Sequence, residues 1–376
     1  MKNRLIKLSA AALVAAMSTM PVMAEGNTYT PVTGTNTTFT KIIKLSATAN
    51  VPNVTFKYTV VAGDAQAASD GNLAIFAGND GVTSSGLPSI ADILFTAGDG
   101  KDAGGTSIQK TGTVDFSKVT FNEPGVYRYV VTESGEAQGL TTTEDQTKAI
   151  DVYVVDSNGT LEVAGYVMHN KEDAKAAQLD ETKELDDKDT DFEHVYTTSD
   201  LTISKAVTGN QASHDEYFKF TVAIKGAEEG TKFSVDLTNA DATTKTNGIN
   251  TEAHTNPTEL VAGADGTVTG EFWIQHTQSI KIEGLAGKTG YDIVEANGSY
   301  KTTIAVTGDT EDVTNEAPKV TDTAITADTT VAYTNDKSGA IPTGVFMTVG
   351  GSAAVTLLAG TGIAIHLKKK KDEDAE

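Results

Sequence analysis

One order of residues occurs twice along this 376-residue chain. Thr40-Lys41, followed by Phe56-Lys-Tyr-Thr-Val60, recurs as Ser204-Lys205, followed by Phe218-Lys-Phe-Thr-Val222. Gly125-Val-Tyr-Arg-Tyr-Val-Val-Thr-Glu133 recurs as Gly290-Tyr-Asp-Ile-Val-Glu295. Phe192-Glu-His-Val-Tyr196 recurs as Tyr333-Thr-Asn335. Each copy places a lysine early, a glutamate late and a polar residue on its last segment. A repeat of this kind obliges the chain to build one supersecondary unit twice. The segments are short and alternating, and rich in Val, Thr, Ile, Tyr and Phe. Further examples are 54–61, 150–155, 270–274 and 302–306. Gly, Asn and Asp punctuate them, as in Asp156-Ser-Asn-Gly159, which is the pattern of half-buried strands joined by turns.

The expected fold is therefore all-β, two tandem immunoglobulin-like β-sandwiches. The boundary falls near Ser199, giving units at 25–198 and 199–337. One unit's last strand runs there into the next unit's first, which favours a rigid rod. Two stretches break the pattern. Residues 63–105, rich in Gly, Ala, Asp and Ser, read as loops with a short helix. The charged stretch 169–191 reads as a surface excursion. Asp187, Asp189 and Asp191 alternate as in a calcium loop but lack its glycine and final glutamate, so no metal site is expected. The formal charge of −22 argues against binding nucleic acid or anionic lipid. The chain has no cysteine, so any covalent stabilisation needs chemistry other than a disulfide.

The ends carry a different signal. Residues 1–24 hold Lys2, Arg4 and Lys7, then an apolar stretch closing on Val22-Met23-Ala24, as in a secretory signal peptide. Residues 338–376 contain Ile341-Pro342-Thr343-Gly344, then 23 uncharged residues from Val345 to Leu367 and a cluster at Lys368–Lys371. The uncharged run is long enough to span a bilayer as a helix, with the lysines on the cytoplasmic side. Pro342 disfavours helix at the residue before it, leaving an extended tetrapeptide that a processing enzyme can bind.

Strand parity gives the repeated polar residues a meaning, because residues two apart share a face. Lys205 shares its face with Leu201, Ile203 and Val207. Glu295 shares with Tyr291 and Ile293, and Asn335 with Val331 and Tyr333. A charge on an apolar face must pair or neutralise. Burial pushes a lysine down and a glutamate up. A neutral amine beside a carboxamide and a protonated carboxyl can form a Lys–Asn amide and release ammonia.

The C-terminal arrangement resembles the cell-wall sorting signal of Gram-positive surface proteins, in which a sortase cuts between Thr and Gly. The cut then falls between Thr343 and Gly344. The motif differs by having Ile341 for Leu and no residue between Pro342 and Thr343, and is closer to a Val-Pro-Thr-Gly variant. The repeated constellation resembles the backbone pilins of Gram-positive pili, which form intramolecular isopeptide bonds. The resemblance implies Lys205 as nucleophile, Asn335 as electrophile and Glu295 as proton shuttle. Lys41 and Glu133 match in the first unit, but the Asn position holds His194, whose imidazole cannot form an amide with lysine.

The resemblance further implies an inter-subunit acceptor lysine near the end of the first unit, Lys175 or else Lys171. The partners it implies are a sortase, identical pilin subunits and peptidoglycan. The location it implies is the cell wall, reached through a transient membrane anchor. An alternative organisation is a monomeric wall-anchored adhesin or minor pilin that contacts a host surface ligand through loops such as 63–105. No cofactor is expected. No motif suggests an enzyme acting on other molecules.

Overall fold

The computed structural model describes residues 34–67, 74–143, 145–170, 189–239, 253–309, 312–314, 318–339, 347–349 and 353–355. The described residues are strands and turns with no helix, in two sandwiches of two sheets each. In the first, one sheet runs in the order Leu140–Thr142, Asp191–Tyr196, Asn36–Leu45, Ser107–Asp115, Ser89–Ile90. The facing sheet contains Thr160–Asn170, Thr147–Ser157, Gly125–Ser134, Val54–Ala62 and Ile93–Phe95. In the second, one sheet centres on Ser279–Ala286, Thr198–Thr208, Thr329–Asp336 and Lys301–Thr307. The other centres on Val268–Ile274, Phe218–Lys225 and Gly290–Ala296.

Alternation decides most strands. Residues of Phe218–Lys225 alternate between buried and half-exposed, and Phe218, Phe220, Val222 and Ile224 all enter one core. In both units the first and last strands are parallel neighbours. Lys41 lies opposite Phe192 in one register, and Val207 opposite Asn335 in the other. This pairing brings residues far apart in sequence onto adjacent strands at the centre of a sheet.

The strand Gly125–Ser134 departs from alternation and is buried on both faces from Val126 to Val131. The described residues at Gly63 and at Ile75–Ala77 lie against one of these faces. Ile75–Ala77 pairs with it in parallel, and Ile75 packs on Val126 and Tyr153. Glycine is required at position 63, because a Cβ there would lie 2.3 Å from Arg128 Cγ. Under this cover Arg128 donates two hydrogen bonds of 2.7 Å to Asp151, and His169 Nε2 lies 3.2 Å from the same carboxylate.

The described part of 63–105 thus holds short strands, at Ile75–Ala77, Ser84–Ser85, Ser89–Ile90 and Ile93–Phe95, where loops and a helix were expected. His169 and Asn170 also belong to a strand, not to a surface excursion, and His169 is buried. Residues 171–188 lie outside the described residues, and with them Lys171, Lys175 and Asp187. The same holds for 1–33, which include the expected signal peptide, and for Ile341, Pro342, Thr343 and Gly344. Of the expected span 345–367 only Met347–Val349 and Ala353–Val355 are described, paired as antiparallel strands. Among the described residues no helix is long and apolar enough to cross a membrane.

Thr197 alone separates the strands Asp191–Tyr196 and Thr198–Thr208. Side-chain amides bridge the junction. Asn50 donates to the Lys232 carbonyl at 2.9 Å, Asn53 to that of Glu229 at 3.1 Å, and Gln138 to that of Gly226 at 2.6 Å. Ala286 of the second unit packs into the first unit's core with Tyr196. The short connection is thus reinforced on its flanks.

Candidate functional site

Lys205 comes from the first strand of the second unit, Asn335 from its last, and Glu295 from the opposite sheet. All three side chains point into the core, at exposures of 3%, 0% and 3%. Lys205 Nζ lies 2.6 Å from Glu295 Oε1, although its direction does not make a well-formed hydrogen bond. Asn335 Nδ2 donates to the same oxygen at 3.0 Å. One carboxylate oxygen therefore touches both the amine and the amide nitrogen. The Thr302 hydroxyl donates to Asn335 Oδ1 at 2.7 Å and lies 3.3 Å from Glu295 Oε2. Asn297 Nδ2 in turn donates to the Thr302 oxygen at 2.9 Å. The Phe218 ring sits 4.3 Å from Lys205 Nζ and helps to close the site to water.

Burial is the main force on the charges. It pushes Lys205 down to about 8, against the opposing pull of Glu295. It raises Glu295, against the attraction of Lys205 and the polar contacts of Asn335 and Thr302. Both shifts favour the neutral amine and protonated acid that amide formation needs. The Thr302 hydroxyl donates to the carbonyl oxygen on which charge would develop in an attack on that carbon. Thr302 was not apparent in the sequence. The register that sets it beside Asn335 is fixed by strand pairing.

The first unit repeats the geometry with one different group. Lys41 Nζ donates to Glu133 Oε1 at 2.7 Å and lies 2.6 Å from His194 Nδ1. Tyr58 donates to Glu133 Oε2 at 2.7 Å. Lys41 and His194 occupy the first and last strands, as Lys205 and Asn335 do. Burial raises Glu133, with Lys41 opposing. Burial and the Lys41 charge push His194 down to about 4, so its ring is neutral and accepts from the ammonium. This cluster is a hydrogen-bonded ion pair with an imidazole in the electrophile's place. A cavity bounded by Glu133, Leu140, Thr142 and His194 adjoins it.

A second buried lysine of the first unit was missed in the sequence. Lys148 is 0% exposed, lies 2.5 Å from Asp189 Oδ2, and donates to Asn170 Oδ1 at 3.2 Å. Its parity with Ile150, Val152 and Val154 was a usable signal. Among the described residues no three His, Cys, Asp or Glu side chains cluster as metal ligands.

Comparison with known proteins places these sites in context. Residues 37–197 match the family described as Spy0128-like isopeptide containing domain, and residues 199–337 match a domain of unknown function (DUF7601). A pilin of Streptococcus pyogenes serotype M1 is 29% identical over 378 residues, covering 98% of this chain and 99% of that protein. The major pilin of Streptococcus pyogenes shares the fold, with a TM-score of 0.54 at 24% identity over 82% of this chain and 100% of that one. The T3.2 major pilin of Streptococcus pyogenes serotype GAS13637 gives a TM-score of 0.51 at 21% identity over 81% and 98%. The domain match and the near-full-length relative support a structural subunit of a Gram-positive pilus, and the solved major pilins share its two-sandwich fold.

Proposed function

We propose that this subunit is polymerised through Thr343 by a sortase, and that its second sandwich is closed by a self-catalysed Lys205–Asn335 isopeptide bond. The observation that carries the bond is the shared contact of Lys205 and Asn335 with one buried oxygen of Glu295. Proton transfer from Lys205 to Glu295 frees the amine lone pair. The amine attacks the Asn335 side-chain carbon, and Thr302 steadies the oxygen as the carbon becomes tetrahedral. Glu295 passes a proton to the Asn335 nitrogen, which leaves as ammonia. The second amine proton passes through Glu295 to the departing ammonia, which leaves the site as ammonium. Glu295 ends as it began, so it acts as a shuttle.

The bond joins parallel neighbours at the start and end of the second sandwich. In a fibre, tension leaves the subunit at Thr343, eight residues beyond Asn335. A covalent tie between these strands lets tension bypass the sandwich's hydrogen bonds, so that unit need not unfold under load. The acceptor amine on the next subunit is Lys175, or else Lys171, in the stretch between the described residues Asn170 and Asp189. The basic tail and apolar run then serve as a temporary anchor, and the finished fibre is attached to peptidoglycan.

The monomeric adhesin reading is not favoured, since the relatives above are pilins and major pilins. Cell-wall extracts resolved in SDS test the polymer. A ladder of resistant high-mass species supports it; a single wall-linked band contradicts it.

A further inference from the structure

The first sandwich belongs to an isopeptide-containing family yet offers Lys41 an imidazole in place of an amide. The same core holds the second buried lysine. Lys148 projects from Thr147–Ser157 on the face of Ile150, Val152 and Val154, all members of the core. Its Nζ is fixed from several sides. Asp189 Oδ2 is 2.5 Å away, Asn170 Oδ1 accepts at 3.2 Å, and the Phe192 ring lies 5.4 Å off. The other Asp189 oxygen, Oδ1, accepts the backbone N–H of Asp191 at 3.1 Å. The Asp189 backbone is itself tied to the Met168 carbonyl at 3.2 Å. A fully buried amine thus faces a held side-chain carboxyl, one of whose oxygens has a backbone donor.

We infer that Lys148 and Asp189 form a second intramolecular isopeptide bond, one that replaces the brace His194 precludes. The step balances within the pair. The ammonium gives one proton to Oδ2, leaving a neutral amine and a carboxylic acid. The amine attacks Cγ, and the charge developing on Oδ1 is met by the Asp191 N–H. A further amine proton passes to the Oδ2 hydroxyl, which leaves as water as the amide closes. Confinement of both groups in one site supplies the effective concentration that free lysine and aspartate lack in water. Asn170 orients the amine and is not consumed.

The bond would join Thr147–Ser157 in one sheet to the residue leading into Asp191–Tyr196 in the other. It would anchor the strand that runs on into the second sandwich. This inference rests on the folded first sandwich and not on the identity of the acceptor lysine.

Peptide mapping of the intact mature chain tests it. The expected product is one branched peptide containing Lys148 and Asp189, lighter than its two parts by one water, about 18 Da. It should be absent in Lys148→Arg and still form in His194→Gln. Recovery of Lys148 and Asp189 in separate linear peptides from the wild type overturns the inference, whether or not the variant folds. So does a branch through Asn170, which would show an ammonia loss, or a water loss confined to a cyclic imide at Asp189. The Lys205–Asn335 peptide is read in the same digest, so the two bonds succeed or fail separately.

Discussion

His194 Nδ1 lies 2.6 Å from Lys41 Nζ, in the place Asn335 holds relative to Lys205. The two sandwiches present a buried lysine to a buried glutamate in the same way, at 2.7 and 2.6 Å. They differ in whether the third group contains an acyl carbon that the amine can attack. In the first sandwich the third group titrates instead, which leads to a pH-dependent cluster where the second sandwich holds the groups proposed to cross-link.

The stability of the first sandwich should fall in acid. His194 is held down to about 4 in the fold, against an ordinary value of 6.5. Between these values the unfolded chain binds the proton and the folded one does not, so stability declines as pH drops from about 6.5 toward 4. Above that window the contribution is fully present. Thermal melts from pH 7.5 to 4.5 should show a steeper loss for the wild type than for His194→Gln. Equal slopes would remove His194 from the account.

Replacing His194 by Asn should install the missing chemistry, because Lys41 already contacts Glu133 at 2.7 Å. The expected result is a second ammonia lost, another decrement of about 17 Da, in peptides joining positions 41 and 194. Wild-type protein should show a single ammonia loss. A wild-type cross-link between Lys41 and any carboxamide would contradict the assignment of His194.

Thr302→Val should slow formation of the second-sandwich bond without preventing folding. The hydroxyl is the donor to Asn335 Oδ1, at 2.7 Å, and valine preserves the shape. Loss of one such donor typically costs about 100-fold in rate. Freshly synthesised variant should therefore contain a mixture of linked and unlinked chains that matures with time. Complete linkage as fast as in the wild type would show that Thr302 only packs.

Much of this site could be read from the sequence because parity is a local property. Lys205, Glu295 and Asn335 each sit two residues from apolar neighbours, and a strand cannot bury one without the others. Lys148 satisfied the same rule, but the strand was read as beginning at Ile150 where it begins at Thr147. Thr302 could not be singled out, since its role depends on register across a sheet. Asp189 was equally hidden, because its partner lies 41 positions earlier on another sheet. The double burial of Val126–Val131 arises from a covering segment that includes the strand Ile75–Ala77, in a stretch whose composition reads as loops with a short helix.

Assembly gives an independent prediction. Lys175→Ala should abolish the high-mass ladder while leaving the subunit folded and secreted. Lys171 is the next candidate. A ladder of wild-type extent in the double variant would exclude this stretch's two leading lysines as acceptors.

The most direct test of the central claim is the mapping of Lys205 and Asn335 in native mature protein. The account predicts a single branched peptide carrying both residues, about 17 Da below the sum of its parts. That peptide should disappear in Glu295→Ala. The variant should also unfold at a temperature lower by about 10 °C or more, given the several kcal/mol contributed by closing so long a loop. Recovery of Lys205 and Asn335 in two unmodified linear peptides from the wild type would contradict the account.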